Sequence, residues 1–236
     1  MLLIEGNNID FRYDSQTELL LSELNFKIYS KNKTGITGIN GCGKSTLVKI
    51  LMNELDPYRG YFRKKDNLKT GYLPQNISIS EEFTVEEYFF NYLGLLELKI
   101  NYENAINGLN NDLSVYTEYE EKHGFEIELR IEKLLNLLKL DESVLKLRIS
   151  RLSGGEKTKI NIGKLLINEP DMLILDGPTN NLDSESMIWL EEFLNNNDLT
   201  WLAISHDRAF LDNCVNEIWE IEDTEMRIWP GNYSAY

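Results

Sequence analysis

Residues 38–46, Gly38-Ile39-Asn40-Gly41-Cys42-Gly43-Lys44-Ser45-Thr46, combine the residue types that bind a polyphosphate together with a metal ion. The stretch matches the P-loop pattern G-x-x-x-x-G-K-[ST] at every fixed position. Its glycines let the backbone approach phosphate groups and point N–H groups at them. Lys44 is predicted to reach the β- and γ-phosphates, with Thr46 also on phosphate, and the Ser45 hydroxyl is predicted to ligate Mg²⁺.

A second set of candidate groups follows two buried strands in the C-terminal part of the chain. Residues 172–175 are a continuous apolar run that ends at Asp176, and Thr200–Ile204 leads into Ser205 and His206. Such runs are typical of parallel strands buried on both faces, whose carboxyl ends form the ligand-binding edge of the sheet. We therefore expect Asp176 to hold Mg²⁺ through water and His206 to contact the γ-phosphate.

Two further candidates rest on single residues. Gln75 follows a short predicted strand, 71–73, and its amide oxygen could hold Mg²⁺ and the attacking water. Tyr13 and Phe11 share one face of a predicted strand, and either ring could stack on a purine base. A half-exposed aromatic residue with a purely structural role fits the same spacing, so both interpretations stay open.

The stretch Leu152-Ser153-Gly154-Gly155-Glu156 opens a predicted helix and forms a second phosphate-binding feature. Ser153 is a favourable N-cap residue. The adjacent Gly154 and Gly155 expose backbone N–H groups at the positive end of the helix. A plain helix cap would not require two adjacent glycines, so an anion-binding role is favoured.

The surrounding pattern predicts the elements that position these groups. An apolar strand, 34–39, precedes the P-loop and a helical pattern follows it, while residues 1–30 alternate as an antiparallel layer does. From Thr84 the period becomes helical, which predicts a helical excursion over 84–150. Residues 91–130 contain eight Asp or Glu against three Lys or Arg, so this excursion is acidic.

Composition narrows the functional classes. The 236 residues are 42% hydrophobic, which predicts a folded globular protein, and no run of about 18 apolar residues is present to form a membrane-spanning helix. The N-terminus lacks the basic lead and apolar stretch of a signal peptide, so a cytoplasmic location is expected. Cys42 and Cys214 are too few for a disulfide scaffold. The formal charge of −15 argues against a chain that coats a nucleic-acid backbone.

The order of these motifs along the chain resembles that of an ATP-binding cassette (ABC) nucleotide-binding domain. The motifs are the P-loop, Gln75, the stretch 152–156, the Asp176 strand, Asp183 and His206. The resemblance covers essentially the whole chain. It implies an α/β P-loop NTPase fold with a mainly parallel core sheet, an antiparallel β layer and a helical subdomain. The core would comprise 1–83 and 151–236, and the helical subdomain with an arm-like insertion would comprise 84–150.

The resemblance also implies a mode of action. ATP and Mg²⁺ would lie between two cassettes, with the P-loop of one facing Ser153, Gly154 and Gly155 of the other. It places Asp183 among the nucleotide-binding residues as well. The second cassette would belong to the same parent chain or to a homodimer.

Three stretches resemble the ABC-F branch, whose soluble ATPases act on ribosomes as translation factors or antibiotic-resistance proteins. They are residues 178–183 (PTNNLD), 205–212 (SHDRAFLD) and 231–236 (GNYSAY). On this resemblance the chain looks like the first cassette of a longer protein, with the ribosome as its partner. An ATPase subunit docked on a membrane permease, with no membrane insertion of its own, and a regulatory ATP-binding module are the alternatives.

The sequence departs from the family pattern at two points. ABC cassettes usually have Glu directly after the strand-ending Asp, where it polarises the attacking water, and here that catalytic position is Gly177. Glycine has no side chain, so hydrolysis is expected to be slow. The acidic excursion is the second departure, because an arm that touches ribosomal RNA is expected to be basic.

Overall fold

The computed structural model describes residues 1–75, 81–109, 112, 114–180 and 182–236. Its strands are β1 Leu2–Phe11, β2 Leu21–Tyr29, β3 Lys33–Thr37, β4 Arg59–Lys64, β5 Thr70–Leu73, β6 Met172–Asp176, β7 Thr200–Ile204, β8 Glu217–Glu222 and β9 Glu225–Pro230. Its α-helices are α1 Lys44–Leu51, α2 Val85–Tyr92, α3 Leu96–Ile106, α4 Ser114–Glu121, α5 Gly124–Leu137, α6 Gly154–Leu166, α7 Ser184–Asn196 and α8 Arg208–Cys214.

The chain divides into two compact units, which are Met1–Ile77 with Glu169–Tyr236, and Ser78–Asn168. The second unit contains the predicted helical subdomain, 84–150, and extends beyond it at both ends. Helix α6, which follows the Ser153 cap, therefore belongs to the helical unit. In the described residues, no helix combines the length and the apolar character needed to cross a bilayer.

A mixed sheet forms the centre of the first unit, with the strand order β5-β6-β7-β3-β8-β9. Each pair of neighbours among the first five strands in this order, β5, β6, β7, β3 and β8, is parallel. The last strand, β9, pairs antiparallel with β8. Every residue of β6 and β7 is buried, as expected for strands covered on both faces. The sequence-based prediction of a mainly parallel core sheet is confirmed. The carboxyl ends of β3, β6 and β7 meet at one edge.

The predicted antiparallel layer is a separate sheet with the order β2-β1-β4. Its apolar positions alternate along β2, where Leu21, Leu24, Phe26 and Ile28 are buried. These side chains belong to one hydrophobic cluster that also includes the inner face of α1 and residues of β6, β7 and β8. The cluster therefore holds the P-loop helix between the two sheets.

The helical unit has its own core, built from α2, α4, α5 and α6, and a buried cation. Thr84 caps α2 through a capping box with Glu87, as its sequence spacing predicts. Lys99 is only 8% exposed, and its Nζ lies 3.0 Å from Glu86 Oε1 and 2.5 Å from Glu128 Oε1. Burial lowers the pKa of Lys99, but its carboxylate partners more than offset this and hold the pKa above its ordinary value. The ion pairs of Lys99 with Glu86 and Glu128 therefore join α2, α3 and α5.

Candidate functional site

A pocket of about 500 Å³ opens at the carboxyl edge of the parallel sheet in the first unit. Its volume suits a nucleotide-sized ligand. Most of the predicted site residues line it together, although they come from widely separated parts of the sequence. These residues are Tyr13, Asn40, Gly41, Gly43, Lys44, Ser45, Thr46, Gln75, Asp176, Gly177 and His206.

The P-loop connects β3 to α1 in the predicted strand, loop and helix order. Gly43 precedes α1 with φ of 109°, and a Cβ at this position would lie 2.6 Å from Leu21 Cδ2. Only glycine combines this backbone conformation with such close packing. The buried Lys44 Nζ donates hydrogen bonds to the carbonyl oxygens of Gly38 at 2.7 Å and Ile39 at 2.9 Å. Its ammonium group is thus held inside the loop that would surround a phosphate.

Asp176, Ser45 and Gln75 bring three kinds of oxygen ligand to the same pocket. The Ser45 side chain lies close enough to the Asp176 carboxylate to lower the pKa of that carboxyl. Burial raises the pKa of the Asp176 carboxyl above its ordinary value, and the opposing effects of the Lys44 charge and the Ser45 side chain are smaller. A cation at this carboxylate would favour its ionised form.

This ligand set fits Mg²⁺ bound together with phosphate. In the described residues no group of three or more His, Cys, Asp or Glu side chains could hold a metal ion alone. Mg²⁺ is commonly bound by one or two protein carboxylates plus phosphate oxygens and water, so a single Asp with a hydroxyl and an amide is sufficient.

Gly177 follows Asp176 in the left-handed backbone region, with φ of 61°. Its N–H donates to Ile204 O at 2.9 Å and its carbonyl accepts from Asn180 N at 3.0 Å, so the turn after β6 is fixed at both groups. A Cβ at residue 177 would lie 2.4 Å from Asn180 Nδ2. Any larger residue here must displace the Asn180 amide.

His206 is exposed at the pocket rim, and the residues on either side of it are fixed by hydrogen bonds. Asp207 N donates to Ser205 Oγ at 3.0 Å, and Ser205 Oγ lies 3.3 Å from Thr179 Oγ1. Asp207 in turn caps α8 by accepting from Phe210 N at 3.1 Å. The Ser205 hydroxyl therefore links the turn after β6 to the loop that presents His206.

The two aromatic candidates have different positions. Tyr13 lines the pocket, and its hydroxyl lies 3.1 Å from Thr46 Oγ1. Phe11 is 4% exposed and belongs to the hydrophobic core, where its ring packs edge-on against Tyr13 with centroids 5.0 Å apart. The interpretation of Phe11 as a base-stacking ring is therefore wrong, because its side chain points into the core.

Three predicted site residues of the first unit are not part of the pocket lining. Gly38 and Cys42 pack against each other, since a Cβ on Gly38 would lie 2.7 Å from Cys42 Sγ. Asp183 is exposed and caps α7, accepting from Ser186 N at 2.7 Å. In the 178–183 stretch, Asn181 lies outside the described residues.

The second predicted phosphate-binding feature lies in the helical unit. Ser153 caps α6 through a capping box, with Glu156 N 3.2 Å from Ser153 Oγ and Ser153 N 2.8 Å from Glu156 Oε2. Ser153 and Gly154 are exposed, whereas Gly155 is buried. The helix of 13 residues thus presents its positive end to solvent.

Some lining residues were not predicted from the sequence. Asn180 and Ser205 lay inside stretches that the resemblance singled out, so their positions could have indicated the site. Ile204 ends the buried strand that was predicted to lead to this edge, whereas Gln16 and Leu20 carried no such signal. Gln16 and Leu20 follow the turn after β1, and only the fold brings them to the pocket.

The ABC transporter family model matches residues 21–180. The energy-dependent translational throttle protein EttA of Escherichia coli K12 is 33% identical over 92% of this chain, which corresponds to 41% of EttA. The ABC transporter F family member 5 of Arabidopsis thaliana is 32% identical over 99% of this chain and 36% of its own length. The ATP-binding protein Uup of Buchnera aphidicola is 35% identical over all of this chain and 35% of its own. The chain thus spans well under half the length of these relatives.

Solved structures agree on the fold. An ATP-binding subunit of an ABC transporter matches with a TM-score of 0.74 and 21% identity, over 97% of this chain and 90% of that one. An ATP-binding cassette of an ABC transporter in its ADP conformation also matches with a TM-score of 0.74, at 20% identity over 100% of this chain and 93% of that one. The expected fold class is confirmed.

Proposed function

The chain belongs to the ABC transporter family of P-loop ATPases, and from this premise we propose that it is an ATP-gated cassette of the ABC-F type that acts on the ribosome. The proposal that the chain binds ATP rests on one observation, which is that the P-loop, Gln75, Asp176 and His206 line the same pocket. A chance glycine-rich turn would not bring these groups together.

In the proposed complex, the backbone N–H groups of the P-loop and the Lys44 ammonium bind the phosphates of ATP. Ser45, Gln75 and Asp176 would hold Mg²⁺, directly or through water. Bound Mg²⁺ would neutralise charge that develops on the phosphates. His206 contacts the γ-phosphate, and the Ser205 hydroxyl keeps its loop in position.

Closure requires a second cassette. The exposed N-terminus of α6, with Ser153 and Gly154, suits the phosphates of an ATP bound to that partner, because backbone N–H groups and the helix dipole both favour an anion there. We also assign the exposed Asp183 to the nucleotide-binding residues. Since Gly177 supplies no general base, hydrolysis is slow and the ATP-bound closed state is long-lived.

The ribosomal part of the proposal is supported by the relatives that the chain resembles, which include a protein named for translational throttling. The experiment is centrifugation of the full-length parent protein with ribosomes, with and without Mg·ATP. We expect it to sediment with ribosomes in the ATP-bound state and otherwise to stay in the cytoplasmic fraction. Recovery with membranes through a permease partner would instead establish the transporter alternative.

Replacing Tyr13 tests the base contact. Tyr13→Ala should weaken Mg·ATP binding about fivefold, since stacking on an aromatic ring contributes about 1 kcal/mol. Tyr13→Phe keeps the ring and loses the Thr46 contact, so it should bind ATP nearly as well as the unaltered chain. Titration with a fluorescent ATP analogue would measure both. Equal weakening in the two variants would show that the hydroxyl, and not the ring, matters.

A further inference from the structure

A short basic and aromatic segment stands out from an otherwise acidic chain. Residues 57–69 contain five Lys or Arg and one Asp, whereas the whole chain carries −15. Much of this segment is β4, which forms one edge of the β2-β1-β4 sheet. We define the β4 patch as Arg12, Tyr58, Arg59, Tyr61 and Arg63. Its charge is opposite to that of the chain as a whole.

The aromatic rings of the patch are accessible, and the Tyr58 ring lies beside two of its cations. Tyr58 is 51% exposed and Tyr61 is 50% exposed. The guanidinium carbon of Arg12 lies 4.5 Å from the centroid of the Tyr58 ring, and that of Arg59 lies 5.6 Å from it. Exposed rings and guanidinium planes in this arrangement can stack on unpaired bases while the cations meet phosphates.

The two carboxylates that lie opposite Arg59 and Arg63 also contact other groups. Glu5 lies opposite Arg63 in the strand register, and its carboxylate is paired with Lys27 at 3.1 Å. Asp10 lies opposite Arg59, and its Oδ1 accepts a hydrogen bond from the backbone N–H of Glu23 at 2.8 Å. Arg59 and Arg63 are both exposed, so their guanidinium groups can reach an incoming anion.

We propose that the β4 patch binds single-stranded RNA, with Tyr58 and Tyr61 stacking on bases and the arginines contacting phosphates. The proposal rests on the ribosomal action proposed above and names a surface through which this cassette makes that contact. Charge alone would also attract an acidic polypeptide. The two half-exposed rings favour RNA, because stacking needs flat unpaired bases and an acidic side chain offers none.

The test is fluorescence anisotropy with a labelled mixed-sequence RNA of about 12 nucleotides. Arg59→Gln with Arg63→Gln should weaken binding about tenfold or more and reduce the slope of log affinity against log salt by about 1.4, since each phosphate contact to a single strand contributes about 0.7. Tyr61→Ala should weaken binding about tenfold, and Tyr61→Phe should restore it. Mg·ATP affinity and the thermal unfolding midpoint should be unchanged in every variant.

The matched control is Arg130→Gln with Lys133→Gln, which removes the same charge from exposed positions on α5 and should leave RNA binding unchanged. Equal weakening of RNA binding by this control pair would overturn the proposal. The proposal would also be overturned if Tyr61→Ala had no effect and an unlabelled polyglutamate peptide competed with the RNA at equal charge. No RNA binding at about 50 mM salt would also overturn it. If the patch variants of the parent still sediment with ribosomes as the unaltered parent does, the patch proposal fails and the ribosomal function stands.

Discussion

The Lys44→Ala variant is expected to lose tight binding of Mg·ATP, with an affinity at least about a hundredfold below that of the unaltered chain. Lys44 is buried inside the P-loop, where its ammonium group already bonds two backbone carbonyls and faces the pocket. Charge-assisted hydrogen bonds to phosphate are among the strongest in proteins, and alanine removes all of them. Isothermal titration calorimetry with Mg·ATP would measure the loss.

The control for this variant is Lys49→Ala. Lys49 lies on the same helix, α1, but is exposed to solvent and does not line the pocket. Its replacement removes the same charge and should change ATP affinity by less than about twofold. Unchanged affinity in Lys44→Ala, with both proteins folded by circular dichroism, would contradict the assignment of the pocket.

The Gly177→Glu variant of the full-length parent should hydrolyse ATP faster than the unaltered protein. A positioned general base contributes about 10²- to 10⁴-fold in rate. The new residue must leave the left-handed conformation or bear about 1 to 2 kcal/mol of strain, and it must displace the Asn180 amide. We therefore expect a net increase of about 10- to 10³-fold, measured as phosphate release at saturating Mg·ATP.

Gly177→Gln is the matched control for this gain. Glutamine has the same size and the same conflict with Asn180, but it has no carboxylate to accept a proton. It should leave the rate at or below that of the unaltered protein. A gain as large as that of the glutamate variant would show that the change of turn geometry, and not the restored base, accelerates hydrolysis.

Local sequence patterns predicted the parts of this site that depend on short-range physics. The P-loop, the Thr84 and Ser153 caps and the Asp176 strand were recognisable because each needs particular residue types at fixed short spacings. The P-loop and the Asp176 strand meet in one pocket, as expected from the rule that ligands bind at the carboxyl ends of parallel strands. The structure agrees with each of these patterns.

Other features depend on contacts between distant residues and were not predictable in the same way. Phe11 and Tyr13 share a strand face in the alternating pattern, yet only Tyr13 reaches the pocket, because Phe11 is enclosed by the core. The bond between Ser205 and Thr179 joins two loops that are 26 residues apart. The pairing of β4 with β1 could not be predicted either. The sequences of β4 and β5 are similar short strand patterns, yet the two strands belong to different sheets. The β4 patch was not predicted, because the net charge of the whole chain does not show a local group of basic residues.

The structure of this chain determined with Mg²⁺ and a non-hydrolysable ATP analogue is the most direct test of the account. We predict that the triphosphate lies along residues 41–46, that the metal ion lies between Ser45 and Asp176, and that the adenine ring contacts Tyr13. A nucleotide bound anywhere else, or a pocket that stays empty at saturating Mg·nucleotide, would contradict the central claim.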